Sequence, residues 1–316
     1  MKIKTIKLKL AKVSISVFKL FLKLLFFGFF QGDLQKYLNV LKTGFRKLNR
    51  SRFFKLLAFS PPSQNVVLVI KSGTFIPEFY YFSSQRDDLQ YSSRLDFRDW
   101  ELITLNFFFL LARNRKNILD IGSYSGIYAV IAGLANPSAA VFAFEPNSDS
   151  RSMIARNVEL NGLISQISVE EFGLGDRIGK FKLFKHNQNL VNSGASMLKE
   201  SEIFEQVEVR TLDVFLSNTS VDLIKIDVEG FETNIFRGGI NLLANSSAIV
   251  ISEALSSVEL DHQAQVLLNY GYAKPIQISE VGSDSRNFIW HKPSDLSEVT
   301  YNLNLARMKC ASQVMR

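Results

Sequence analysis

The stretch LIKIDVEGFE, residues 223–232, places Asp227, Glu229 and Glu232 directly after an apolar run that holds one lysine. Three carboxylates in six positions make a poor core strand and a poor amphipathic helix. They suit a strand that ends at a site. A carboxylate there can take the proton of a hydroxyl nucleophile or orient it. Asp227 is the first candidate for that role. Glu229 is the second, with capping of the next helix as its alternative. Glu232 is expected inside that helix, and Lys225 inside the strand, paired with a carboxylate. Glu253 ends the following strand in ISEA and is a third acidic candidate at the same edge. His186, in KHNQNLVNSGAS, is a candidate acid–base group on a loop, where Ser193 and Ser196 could bond a hydroxyl-rich ligand such as a sugar. Clustered carboxylates also suit a hard cation; Asp227, Glu229 and Glu253 are the set that would hold one, although no resident metal is expected.

A second group of residues reads as a ligand cradle. LDIGSYSG, residues 119–126, is a strand running into a tight turn with Asp120, Gly122, Ser123 and Gly126. Glycine permits positive φ and lets a ligand approach the backbone. Position 124 is Tyr, so the G-x-G-x-x-G dinucleotide fingerprint is absent. An Asp at the strand end also suits an ammonium group better than a phosphate. In VFAFEPN, Glu145 stands 25 residues after Asp120 at the end of the next strand, followed by Pro146. A carboxylate there can accept both hydroxyls of a ribose. In FGLGDRIG, residues 172–179, Asp176 occupies a Gly-Asp turn where it could bond the exocyclic amine of an adenine. Together these features favour a nucleoside-type cofactor across the carboxyl edge of a sheet.

The elements that must position these groups follow from periodicity. NVVLVI (65–70) and EFYYFS (78–83) read as strands, and DWELITLNFFFLLARN (99–114) as a helix. Then come NILDIG (strand), GIYAVIAGLA (helix), AVFAFEP (strand), SRSMIARNVELNG (helix) and ISVEEFGLG (strand). KFKLFK and QVEVRTL suit a hairpin; VDLIKIDVEG (strand), ETNIFRGGINLLA (helix), SAIVISEA (strand), LDHQAQVLLNYGY (helix) and RNFIWH (strand) complete the series. Strands alternating with helices of this length imply βαβ units and a mostly parallel sheet.

Composition bounds the rest. The chain has 316 residues, 47% hydrophobic, with a formal charge of +7 and a single cysteine, Cys310. One cysteine excludes a disulfide framework and a multi-thiolate zinc site. Seven lysines, from Lys2 to Lys23, precede the first acidic residue, Asp33. Lys9, Lys12, Lys19 and Lys23 share one helical face, with apolar residues such as Val17, Phe18 and Leu22 between them. No apolar run there reaches the ~18–20 residues of a spanning helix, and no small-residue cleavage site follows. The expected division is a basic helical region, residues 1–60, ended by Pro61-Pro62, and a domain over residues 61–316. The basic helix either lies on an anionic membrane surface through residues 1–30 or packs as a structural element with its lysines in water.

ILDIGSYSGIYAVIAG, VFAFEPN, ARNVELNG, VEVRTLD and VDLIKIDVEGFETNIFRGG resemble, in order and spacing, the motifs of FkbM-type S-adenosylmethionine-dependent methyltransferases. The resemblance covers about residues 115–255, and more loosely extends to 291. It implies an α/β, class I (Rossmann-like) methyltransferase fold with a mostly parallel seven-stranded sheet and helices on both faces. It implies that the loop from Asp120 to Gly126 holds the methionine portion of S-adenosylmethionine and Glu145 its ribose. GSYSG departs from the Gly-Ala-Asn-x-Gly common in the family, which alters the pocket wall at Ser123 and Tyr124. The function expected is O-methylation of a hydroxyl on a sugar, glycan, glycolipid or small metabolite. The setting expected is cytoplasmic, with peripheral contact on the inner membrane face. A nucleic-acid-binding protein or RNA methyltransferase is the alternative from charge, but residues 115–255 carry no basic stripe with interleaved aromatics. A non-catalytic adaptor is the third reading, opposed by the intact Asp120, Gly122, Gly126, Glu145 and Asp227.

The N-terminal reading makes a direct prediction. A peptide of residues 1–30 becomes helical on anionic vesicles at low salt and is released as salt rises. Circular dichroism and vesicle sedimentation test it; a peptide left in the supernatant is a packing element instead.

Overall fold

The computed structural model describes residues 66–70, 74–83, 101–185, 197–198, 201–216, 219–278 and 286–314. The chain divides into two units, residues 1–60 and 61–316. The expected basic helix lies outside the described residues, as do His186, Ser193 and Ser196. Among the described residues no helix is long and apolar enough to cross a membrane.

Two strands, β1 (Val66–Ile70) and β2 (Phe79–Ser83), pair antiparallel as a separate ribbon. Helix α1 (Leu102–Ala112) follows and is buried on nearly every side. The central sheet then forms from β3 (Asn117–Ile121), β4 (Ala140–Phe144) and β5 (Ile167–Glu170), with α2 (Ile127–Ala135) and α3 (Ser148–Leu160) as crossovers. Next come β6 (Gly173–Leu174), β7 (Gly179–Phe184) and β8 (Phe204–Arg210), which make a small three-stranded sheet in the order β6-β8-β7. The short helix α4 (Leu212–Phe215) leads to β9 (Leu223–Ile226), followed by α5 (Glu232–Arg237) and α6 (Ile240–Asn245). β10 (Ile249–Glu253), α7 (Ser257–Asn269), β11 (Ile276–Gln277), β12 (Asn287–Trp290) and α8 (Leu296–Val314) end the domain.

The seven-stranded sheet runs β11-β12-β10-β9-β3-β4-β5. β5, β4, β3, β9 and β10 are parallel, and β12 is antiparallel to β10. The order reverses between β3 and β9, and that is the switch point beside which open α/β sheets bind ligands. This is the expected class I methyltransferase architecture. Strand alternation sends Ile118, Leu223, Ile251 and Ile289 into one apolar layer, with α1, α2 and α8. Leu119, Ile121, Ile224, Ile226 and Val250 enter the layer on the other face, with α5, α6 and α7.

Three expectations of detail are corrected. ISVEEFGLG is not one strand: β5 stays with the large sheet, and β6 leaves it to pair with β8. ETNIFRGGINLLA is two helices, because the chain turns at Gly238-Gly239. A Cβ at Gly238 would lie 1.9 Å from the Gly175 carbonyl oxygen, so only glycine lets that turn close on the Gly175-Asp176 turn. Helix α8 was not expected at all. It docks through Val299, Leu303, Ala306 and Cys310, a helical spacing that marks it as amphipathic.

The switch point itself demands a glycine. Gly122 has φ 78°, and a Cβ there would lie 2.0 Å from the Asp227 carbonyl oxygen. Gly122→Ala is therefore expected to cost at least about 2 kcal/mol, from a left-handed backbone plus a backbone clash. Gly162, at φ 70°, has no atom within 4 Å of its would-be Cβ. Gly162→Ala is expected to cost only about 1 kcal/mol. Denaturant titration compares the two; equal losses would mean that the approach of Asp227 is not tight.

Candidate functional site

β3 and β9 end side by side, and the loops that leave them line one cleft. Gly122, Tyr124, Glu145 and Pro146 form one wall. Asp227, Val228, Glu229 and Phe231 form the facing wall. Gly173, Leu174, Leu183 and Met197 add an apolar end from the small sheet. A Cβ at Gly173 would meet Met197 Cε at 2.7 Å, so the bare glycine makes room for the tip of Met197. The shallow hollow along α8, from Pro293 to Asn304, carries no carboxylate, imidazole or amine and takes no part in this chemistry.

The cradle residues divide by what they touch. Gly122 and Ser123 donate their N–H groups to the Phe144 carbonyl at 3.0 and 3.1 Å, which pins the loop to the end of β4. The Ser123 hydroxyl turns back to the Asp120 carbonyl at 2.6 Å. Asp120 itself does not line the cleft. It is buried, and its Oδ2 accepts the Ala129 N–H at 3.0 Å, one of the unpaired donors in the first turn of α2. Burial raises its carboxyl to about 7, against the pull of the Lys225 ammonium. Gly126, at φ 80°, starts α2 and packs against Ile154 of α3. Asp120, Ser123 and Gly126 thus shape the loop from behind, whereas Gly122, Glu145 and Pro146 face the cleft.

Glu145 is held as a fork. Its Oε2 accepts the Tyr124 N–H and its Oε1 the Asn147 N–H, each at 2.9 Å. Burial raises the group to about 7, while these two donors pull the other way. Each oxygen keeps a lone pair for a further donor. Asn147 caps α3, and Arg151 clasps the Glu145 and Pro146 carbonyls, so the whole turn is fixed. Tyr124 has φ 49°, an uncommon conformation for an aromatic residue. Asp176 is placed elsewhere than expected: it does not line the cleft, and its Oδ2 accepts from the Asn234 side chain at 3.4 Å beside α5.

The acidic strand end is organised by Lys225. Asp120 and Lys225 are paired positions on neighbouring strands. Lys225 is 0% exposed, and its Nζ donates to Asp227 Oδ2 and Asn287 Oδ1, each at 3.1 Å. It also lies over the Tyr128 ring, 5.1 Å from the centroid. Asn287 donates to Glu101 Oε1 at 2.7 Å, and the Tyr128 hydroxyl to Glu101 Oε2 at 2.7 Å. Desolvation lowers the lysine's affinity for its proton, but Asp227, Glu101 and Glu253 outweigh it and the net shift is upward. Burial raises Glu101 as well. The expected pairing of Lys225 with a carboxylate is what the structure has; Glu101, Tyr128 and Asn287 had no local signal.

Of the two parts open to Glu229, the structure gives it the place at the cleft, and the capping part falls to Glu232. Glu229, at φ 57°, stays in the turn and lines the cleft. Glu232 opens α5 and reaches back to the Val228 and Gly230 N–H groups at 3.1 and 3.4 Å. Burial raises it to about 7. Glu253 stands beside Asn287 across the β10–β12 pair and is raised to about 8, first by burial and then by Asp227. It feels the charges of Asp227 and Glu229 without lining the cleft. Among the described residues no group of three or more His, Cys, Asp or Glu side chains is arranged to hold a metal ion.

Comparison with known proteins adds a family match. Residues 120–273 match the family described as Methyltransferase FkbM domain. Over those residues, just under half of the chain, the protein is similar to an FkbM methyltransferase domain. The match begins at Asp120 and ends beyond β10, so it takes in both walls of the cleft. "Methyltransferase 1" of Beauveria bassiana is 28% identical over 38% of this chain and 57% of its own length. "2-O-methyltransferase NoeI" of Sinorhizobium fredii is 27% identical over 44% of this chain and 64% of its own. The chain thus spans less than two thirds of the curated relatives it matches. A solved FkbM methyltransferase of Methylobacillus flagellatus aligns at 14% identity and a TM-score of 0.43, covering 56% of this chain and 43% of that one.

The raised carboxyls fix the sign of a pH effect. A carboxyl raised by burial binds its proton more tightly in the folded chain, so stability is full below its unfolded value and falls as pH rises through its folded one. Asp120, Glu145 and Glu232 place that loss between the ordinary carboxylate range and about 7, and Glu253 extends it to about 8. The ligand-free protein is expected to melt at steadily lower temperature from pH 5 to pH 9, with Glu253→Gln flattening the upper part. Scanning calorimetry checks this; a midpoint rising over that range contradicts it.

Proposed function

We propose that the protein is an S-adenosylmethionine-dependent methyltransferase that O-methylates a hydroxyl on a sugar, glycan, glycolipid or small metabolite. The observation that carries the reading is that Glu145 and Asp227 line one cleft at the switch point. The FkbM domain match and relatives named as methyltransferases, one of them a 2-O-methyltransferase, support it.

The residues present fit the cofactor. Glu145 offers a fixed carboxylate fork to a ribose diol, and charged hydrogen bonds of that kind contribute ~1.5–3 kcal/mol. The bare backbone at Gly122 accepts close approach by the amino-acid end. Leu174, Leu183 and Met197 give an apolar berth for a purine. Asp227 and Glu229 supply negative charge for a cationic centre. Bound there, S-adenosylmethionine supplies an electrophilic methyl group. Asp227, about a third exposed and anchored by Lys225, is the residue placed to accept the proton of the acceptor hydroxyl as its oxygen becomes a nucleophile. Lys225 has no exposure and acts through Asp227. Glu229 orients the acceptor from the turn, and Glu253 lies behind as a charge partner.

The test has two parts. Glu145→Ala is expected to weaken binding of S-adenosylhomocysteine about 10-fold or more by calorimetry. Asp227→Asn keeps an acceptor for the Lys225 ammonium but cannot take a proton. It is expected to cut methyl transfer ~100-fold or more while leaving S-adenosylhomocysteine affinity nearly unchanged. Acceptors are found by labelled transfer to separate lipid, glycan, metabolite and RNA fractions. Label in RNA alone would overturn the hydroxyl-metabolite reading, and full transfer by Asp227→Asn would remove Asp227 as the base.

A further inference from the structure

The motif ARNVELNG, residues 155–162, has no part in the chemistry above, yet its two asparagines make an unusual contact. β2 is the edge of a two-stranded ribbon, and an edge leaves every second N–H and C=O without a strand to pair with. Tyr80 and Phe82 present those groups to α3. The Tyr80 N–H donates to Asn161 Oδ1 at 2.9 Å, and Asn161 Nδ2 donates back to the Tyr80 carbonyl at 2.7 Å. Two residues on, the Phe82 N–H donates to Asn157 Oδ1, and Asn157 Nδ2 donates to the Phe82 carbonyl at 3.4 Å. The spacing explains the match. Four helical residues rise about 6 Å, and two strand residues advance roughly 6.5–7 Å. Side-chain amides at i and i+4 on a helix therefore serve as a third strand for residues j and j+2.

Asn157 does one thing more. It is 1% exposed, and its Nδ2 also donates to the Ser125 carbonyl at 2.8 Å. Ser125 follows Tyr124 of the cleft wall and precedes Gly126, which packs on Ile154, one turn earlier on α3. One amide thus joins the hairpin edge to the cradle loop.

We propose that the β1–β2 hairpin is a working part of the cofactor site, and that Asn157 is the positioning residue that couples it to the loop through Ser125. The inference rests on the cofactor reading given above. Ordering of the loop by ligand holds the Ser125 carbonyl, which holds the Asn157 amide, which holds the Phe82 main chain. Coupling is reciprocal, so a seated hairpin strengthens cofactor binding by the factor with which the cofactor protects the hairpin. The hairpin lies outside residues 120–273, so this would be a contribution from beyond the matched domain.

The Phe82 and Tyr80 amides report directly, because their hydrogen-bond partners are the two asparagine side chains. Amide hydrogen exchange of the full chain is measured with and without saturating S-adenosylhomocysteine, with binding followed by calorimetry. In the unmodified protein the ligand is expected to slow exchange at residues 122–126 and, about 5-fold or more, at Phe82. In Asn157→Ala the loop is still slowed, Phe82 is not, and affinity drops by a similar factor. In Asn161→Ala, Tyr80 exchanges faster at rest, but the slowing at Phe82 and the affinity remain. Slowing at 122–126 with none at Phe82 in the unmodified protein overturns the coupling and leaves the cofactor reading in place. Retained slowing at Phe82 in Asn157→Ala overturns Asn157 as the link. No binding heat and no slowing anywhere overturns the cofactor reading and this inference with it.

Discussion

A single ammonium group with no solvent contact, Lys225 in the middle of β9, constrains the parts of the domain that meet at the cleft. An isolated buried charge costs many kcal/mol, and real proteins meet that cost only by surrounding it with partners. Here the partners come from four places in the chain. Asp227 lies two residues on, Asn287 lies on β12, and Tyr128 lies in the first turn of α2. Glu101 then ties Asn287 to Tyr128 at the start of α1. Removing any one partner shifts burden onto the others, so the register of β3, β9, β10 and β12 and the entry of α1 are fixed together. The same cluster aims the Asp227 carboxylate, because one of its oxygens is engaged by the lysine.

Close backbone approach is the second constraint, and it works by what is missing. The loop after β3 and the turn after β9 can enclose one cleft only because Gly122 has no side chain to strike the Asp227 carbonyl. At the far end of α5, Gly238 lets the chain meet the Gly175 carbonyl, which draws the small sheet against the large one. The carboxylates then divide into those that hold backbone and those that face the cleft. Asp120 and Glu232 each accept N–H groups at the start of a helix. Glu145 does both, since it accepts two loop N–H groups and still faces the cleft.

Much of this was legible from residue order, and the gaps have physical causes. The alternation of strands and helices, the turn at Gly122 and the places of Glu145 and Asp227 are local features, written in periodicity and glycine spacing. Asp120 and Asp176 were read as ligand contacts because an acid at a strand end or turn suits a ligand. The protein's own donors, Ala129 and Asn234, lie there instead. The capping part falls to Glu232 and not to Glu229, because a three-residue difference decides which carboxylate can curl back to the turn N–H groups. Glu101 and Asn287 meet across 186 positions, a distance no local pattern spans. Helix α8 did carry a signal, Val299, Leu303, Ala306 and Cys310, but it lies beyond the last strand that the motifs order.

That division separates the two sides of the cleft. The cradle side is built from consecutive elements, β3 through β6, so its residues recur at short spacing and a family resemblance captures it. The other side is assembled from the strand end at Asp227, the turn at Glu229, and partners at Glu101, Glu253 and Asn287 that are distant in the chain. Two of these, Glu101 and Asn287, lie outside residues 120–273. The domain match therefore takes in every residue that lines the cleft, whereas two of the groups around Lys225 lie beyond it. The groups that set the charge and aim of Asp227 therefore come in part from the matched residues and in part from the sequence around them.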